Sequence, residues 1–111
     1  MEDVKLYMKT NMKGHSLTNI QANMLVYSSG EGKCGIVYCF SPISGELYSV
    51  IDTEFISDKN IIHKRLTEHY SRIDNLEIGN VYYTNNNRSM AIVITDYDAS
   101  YCNVTYTKVT Q

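Results

Sequence analysis

Apolar positions between Asp52 and Asn75 fall at helical spacing. Ile62, Leu66, Tyr70 and Ile73 recur at i, i+4, i+8 and i+11, one stripe of a helix with 3.6 residues per turn. Lys59, Arg65, Glu68 and Arg72 fall largely off that stripe. Ser57 is a candidate N-cap, with Ile56 and Ile61 placed to staple the helix start. One main α-helix over about 58–73 is therefore expected.

Elsewhere the pattern alternates or runs apolar in short bursts, as strands do. Val4, Leu6 and Met8 alternate with Lys5, Tyr7 and Lys9, which predicts an edge strand guarded by lysines. Leu17, Ile20, Met24 and Tyr27 divide between helical spacing and a compact strand, and predict a short turn or helix leading into a strand from Ala22. Cys34 to Phe40 and Leu47 to Ile51 continue a three-stranded meander through turns at Ser28–Lys33 and Ser41–Gly45. Beyond the helix, Ile78 to Thr84 and Met90 to Thr95 flank a polar Asn85-Asn-Asn87 tip, and Tyr101 to Val109 reads as a terminal strand. The expected fold is α+β: a single domain over 1–111, with an antiparallel sheet of about six to seven strands packed by the one main helix. No repeat or linker divides the chain in its sequence, and strands at both chain ends would leave open edges, allowing a monomer or an edge-paired homodimer.

Composition narrows the chemistry more than the fold. The 111 residues carry a net charge of −2, too little positive charge for a general nucleic-acid footprint. No stretch reaches the roughly 18 apolar residues that span a bilayer, and the acidic first residues do not resemble a signal peptide. Three cysteines, an odd number, suit free thiols in a reducing, cytoplasmic setting, so the Asn87-Arg-Ser and Asn103-Val-Thr sequons are read as incidental. Isoleucine, asparagine and lysine are abundant and alanine is confined to Ala22, Ala91 and Ala99, a bias common in bacterial accessory genes, phages and viruses. Ten tyrosines and no tryptophan supply amphipathic rings for half-buried strands or for binding surfaces.

Gly30, Gly32 and Gly35 satisfy G-x-G-x-x-G, but the motif joins two strands and no helix follows, so the dinucleotide-binding context is missing. Gly30-Glu-Gly-Lys-Cys-Gly-Ile-Val-Tyr38 resembles the glycine-rich hairpin of protein kinases, and Ser44 to Ile51 with the helix is loosely similar to the next part of their small lobe. That resemblance implies a phosphate-binding lysine where Ile51 or Asp52 stands. It would also pair Glu68 with a lysine that is absent, and no HRD or DFG motif follows, so kinase activity is excluded.

His63 and His69 lie about 240° apart on a helix, unlike the shared face of paired zinc ligands. Neither metal nor cofactor is expected. His69 is assigned to the edge of the packed stripe and His63 to solvent. Cys39 and Cys102 read as small buried hydrophobes and Cys34 as a more exposed thiol beside Lys33.

The candidate partner-binding cluster is Asp96, Tyr97, Asp98 and Tyr101 with Glu31: carboxylates for a basic partner and rings that add contact area at low entropic cost. The leading expectation is a non-enzymatic protein-binding antagonist, an immunity protein or inhibitor that neutralises a toxin or host protein. The alternative is a small-ligand or nucleotide sensor using the loop of Gly30, Gly32, Lys33 and Gly35, and a third reading is a hydrolase built on Cys34 and a histidine.

Overall fold

A computed structural model describes residues 1–74, 81–84 and 89–108. Helix α1 (Glu2–Asn11) is followed by β1 (Ser16–Gln21), β2 (Met24–Ser28), β3 (Gly35–Phe40) and β4 (Leu47–Phe55). A single 3-10 turn (Ile56–Asp58) then leads into α2 (Lys59–His69), and β5 (Ser71–Asp74), β6 (Val81–Thr84), β7 (Met90–Asp96) and β8 (Tyr101–Lys108) complete the chain. The strands form one eight-stranded antiparallel sheet in the order β1-β2-β3-β4-β8-β7-β6-β5. This is the α+β domain expected from the sequence, with one helix and a strand more. A helix followed by a four-stranded meander occurs twice, a repeat of architecture that no sequence repeat announces.

The N-terminal segment corrects the expected edge strand. Val4, Leu6 and Met8 do alternate, but Met1, Val4, Met8 and Met12 also recur at helical spacing, and this second pattern is the one that packs. Met8 is 1% exposed against Leu25, Tyr27 and Phe40, whereas Leu6 is 67% exposed. Glu2 and Asp3 in the first turn and Lys9 in the last complement the helix dipole. The expected turn or helix after Leu17 is likewise strand β1, which hairpins onto β2 through Ala22 and Asn23.

Helix α2 is shorter than its stripe implied. Tyr70 leaves the helix at φ −134° and ψ 158°, and Ile73 belongs to β5, paired with Tyr82. Ser57 does not cap it either, because residues 56–58 form the 3-10 turn and the N-cap position falls to Asp58, whose side chain makes no capping hydrogen bond. Asp52 to Phe55, assigned to the helical stretch by sequence, extend β4 instead. The Asn85-Asn-Asn87 tip and the residues Ile78 and Val109 lie outside the described residues.

Register shows which face each helix covers. Leu25, Tyr27, Ile36 and Tyr38 share a face with Asp52, Val104, Tyr106, Ile92 and Ile94 through successive cross-strand pairs. Met8 of α1 packs on the first part of that face and Leu66 of α2 on the second, so both helices lie on one side of the sheet. The opposite side presents a half-buried row, Val26, Val37, Ile51, Thr105 and Val93, aligned by the same pairings. The last strand is not an edge: β8 lies between β4 and β7, and the edges are β1 and β5. Lys108, at the end of this central strand, meets Glu46 at 3.5 Å. Among the described residues no helix is long and apolar enough to cross a membrane.

Truncating Met8 to Ala should cost about 2–4 kcal/mol in urea denaturation and Leu66→Ala about 2–5 kcal/mol, as for buried aliphatic side chains. Leu6→Ala should stay within about 0.5 kcal/mol, as expected of an exposed helix position. Equal losses at positions 6 and 8 would restore the strand.

Candidate functional site

The glycine-rich loop and the acidic, tyrosine-bearing turn meet at one end of the sheet. Cys34 closes the loop, its carbonyl accepting from Ser29 N at 3.0 Å and Ser29 Oγ at 3.1 Å. Gly30 and Gly32 take φ of +84° and +55°, and a Cβ on Gly32 would run into the Tyr101 hydroxyl. Gly35 is fixed by a different constraint: its Cβ would collide with the Tyr27 carbonyl across the β2–β3 ladder. Each glycine of the motif therefore has a structural reason that involves no phosphate.

Tyr101 joins the two loops. Its hydroxyl accepts from Lys33 N at 3.1 Å, and its ring stacks on Phe55 with centroids 5.5 Å apart. The Lys33 ammonium lies 3.6 Å from Asp98 Oδ2, and 5.5 and 5.8 Å from the ring centroids of Tyr97 and Tyr101. Asp98 Oδ1 accepts from Ser100 N at 2.8 Å and Tyr101 N at 3.0 Å. These backbone donors, and then Lys33, hold the Asp98 carboxyl below the ordinary aspartate range. Asp96 is paired with Lys59 of α2 at 2.7 Å.

Of the five expected partner-binding residues and the four of the alternative loop, Asp96 turns to Lys59 of α2 and Gly35 sits in the β2–β3 ladder, whereas Tyr97, Asp98 and Tyr101 meet Lys33 and Gly32 in one cluster with its charges divided. Asp98 and Lys33 balance each other inside it, Tyr101 is half-buried as its pivot, and Tyr97 (58% exposed) and Glu31 project outward.

The thiols are less reactive than their sequence context allowed. Cys34, expected near the surface, is 6% exposed, and Cys39 and Cys102 are buried as expected. Burial is the first cause raising all three thiols, and Glu54, Glu31 and Asp52 raise Cys34 further. A thiol shifted this way carries less thiolate at neutral pH, the opposite of nucleophile activation. His63 is half-buried and His69 exposed, reversing the sequence assignment. Desolvation, then Lys59 and Arg72, lower the His63 pKa. Among the described residues no three His, Cys, Asp or Glu side chains converge to hold a metal ion.

Sequence reasoning missed a second site, a groove on the helix-covered face. It measures about 440 Å³ and is lined by Tyr7, Tyr38, Tyr70 and Tyr106 around Asp52. An adjoining hollow of about 310 Å³ shares Asp52 and Tyr106 and adds Glu54, Asp58 and Arg65. Asp52 stands between Ile36 and Val104 in the sheet. Desolvation, then a hydrogen bond and repulsion from Glu54, push its carboxyl up to about 7 against a lowering by Arg65. Asp52 and Glu54 therefore stand side by side on the covered face of β4, with the raised proton affinity on Asp52. The available signal was the alternation of Val50, Asp52 and Glu54, which continues the strand past Ile51 and puts two acids on the covered face.

Compared with protein-family models, curated protein sequences and solved structures, the chain matches none.

Because the folded state holds the Asp52 proton more tightly than the unfolded chain, stability should fall as pH rises from about 4 to about 7. The displacement from 3.8 to about 7 corresponds to at most ~4 kcal/mol, and partial solvent access reduces this to roughly 1–3 kcal/mol. Asp52→Asn should remove that loss, gaining stability at pH 8 but little at pH 4.5 in paired thermal melts. In the loops, Tyr101→Phe should cost about 1 kcal/mol and speed amide exchange at Lys33, through loss of the hydroxyl acceptor.

Proposed function

We propose that this chain is a non-enzymatic protein-binding antagonist, an immunity protein or inhibitor of a bacterial accessory element, phage or virus, acting from a cytoplasmic setting on a basic toxin or host protein. The observation that carries this reading is the docking of the glycine-rich loop on Tyr101. It turns two irregular segments into one positioned surface before any partner arrives, which lowers the ordering cost of association. Tyr97 offers the ring and Glu31 the outward charge, with Asp96 at the rim. Raised pKa values on three buried thiols also favour recognition over nucleophilic chemistry.

The sensor reading draws no comparable support from the loop, whose lysine is already engaged by Asp98 and two tyrosines and whose glycines answer to backbone geometry. The test is a capture experiment from the native host with three baits: the unaltered protein, Tyr97→Ala and Glu31→Lys. A stoichiometric partner held by the unaltered chain should be lost or weakened at least tenfold by Tyr97→Ala, the scale of an interface anchor. Its association rate should drop with Glu31→Lys and with added salt. Recovery of no stoichiometric partner, or one indifferent to both changes, would refute the proposal.

A further inference from the structure

The groove between α1 and α2 has a division of labour that the loop surface does not explain. One half is apolar and aromatic: Tyr7 and Met12 from the α1 side, Ile36 and Tyr38 from β3, Tyr106 from β8. The other half carries Asp52, Glu54 and Asp58 against the guanidinium of Arg65, the one cationic side chain among its described lining residues. The aromatic half alone, at about 440 Å³, falls within the size range of small-molecule sites. Carboxylate excess at one end and tyrosine rings at the other complement a molecule with a positive head and an apolar body. A bare metal ion fits less well, since no three ligating side chains converge among the described residues.

We propose that this groove binds a small organic ammonium ion, its charged nitrogen between Asp52 and Glu54 and its apolar body along Tyr38 and Tyr106.

Without ligand, the buried Asp52 carboxyl beside Glu54 keeps its proton up to about pH 7. Their surroundings are Arg65 and Asp58 on the α2 side, Tyr106 from β8, Tyr38 from β3, and Tyr7 and Tyr70 at the two helices. Tyr38 and Tyr106 are raised above the ordinary tyrosine value by burial and stay neutral. An entering ammonium replaces the Asp52 proton: its N–H groups donate to the Asp52 and Glu54 carboxylates, and the displaced proton departs to solvent. Binding below pH 7 therefore releases about one proton, and affinity rises with pH up to that point and then levels.

The test uses 2-phenylethylammonium chloride, with 2-phenylethanol as the nearly isosteric uncharged control. Isothermal titration in two buffers of different ionisation heat measures proton release, and labelled methionine methyl groups report location, since Met12 and Met90 line the groove. The ammonium probe should shift both methyl signals and release close to one proton at pH 6. Its affinity should rise roughly tenfold per pH unit below pH 7. Asp52→Asn and Glu54→Gln should each weaken it at least tenfold while leaving the alcohol unchanged. Melting curves confirm that the variants remain folded, as the stability expected of Asp52→Asn implies. Equal binding of alcohol and ammonium, binding without proton release, or no saturation by roughly 1 mM would overturn the proposal. The loop variants Tyr97→Ala and Glu31→Lys should leave the probe's affinity unchanged, so the protein-partner reading fails or survives separately.

Discussion

The pairing of β8 with β4 is the constraint on which the rest of the structure depends. Seven residue pairs, from Ser49↔Thr107 to Phe55↔Tyr101, join two meanders that would otherwise be separate four-stranded sheets. A small sheet with one helix buries little apolar surface alone. Joined through β4 and β8, the two share a single covered face on which Leu66 and Met8 both find complete burial. The same pairing stacks Phe55 on Tyr101 and brings the β7–β8 turn up to the glycine-rich loop.

Insertion of the final strand into the middle of the sheet also changes which residues are exposed to association. The expected edges at the chain termini vanish; β1, exposed along its whole length, is the N-terminal edge of the sheet. Its register shift between Leu17 and Asn19 is the kind of irregularity that discourages further strand addition. Surface ion pairs such as Lys108 with Glu46 add little to stability. The weight falls on the two apolar clusters beneath the helices.

Covering one face with two helices leaves a seam between them, and the seam is where the fold departs from an apolar core. Asp52 occupies a position whose cross-strand neighbours are Ile36 and Val104, and a carboxylate there is costly unless it shares a proton, finds a cation or reaches water. A raised proton affinity beside Glu54 and the nearby Arg65 each lessen that cost. Such an arrangement weakens the fold as pH rises toward about 7, a local conflict of the kind that functional sites tolerate.

Much of the architecture was legible because it depends on local periodicity. The strand runs expected at Met24–Tyr27, Cys34–Phe40, Met90–Thr95 and from Tyr101 onward correspond to β2, β3, β7 and β8, and the Ile62–Leu66 stripe lies in α2. Of the candidate site, sequence identified Asp96, Tyr97, Asp98, Tyr101 and Glu31 as chemistry-bearing residues, and separately the glycine loop. It could not show that Lys33 and Tyr101, 68 residues apart, form one unit, because such a contact leaves no trace in local spacing.

Sequence by itself determined the class, one α+β domain with an antiparallel sheet and a main helix expected over about 58–73, since alternation and helical stripes are properties of neighbouring residues. Tertiary structure alone decided three things. It chose the helical reading of residues 2–11, where two periodicities coexist and only a waiting pocket at Leu25 and Tyr27 favours the Met1, Val4, Met8 stripe. It ended α2 at His69, because Ser71–Asp74 gain more as a strand beside β6 than as another helical turn. And it built the groove around Asp52: alternation could carry β4 past Ile51, but only the packing of both helices on that face sets Tyr7, Tyr70 and Arg65 beside the carboxyl.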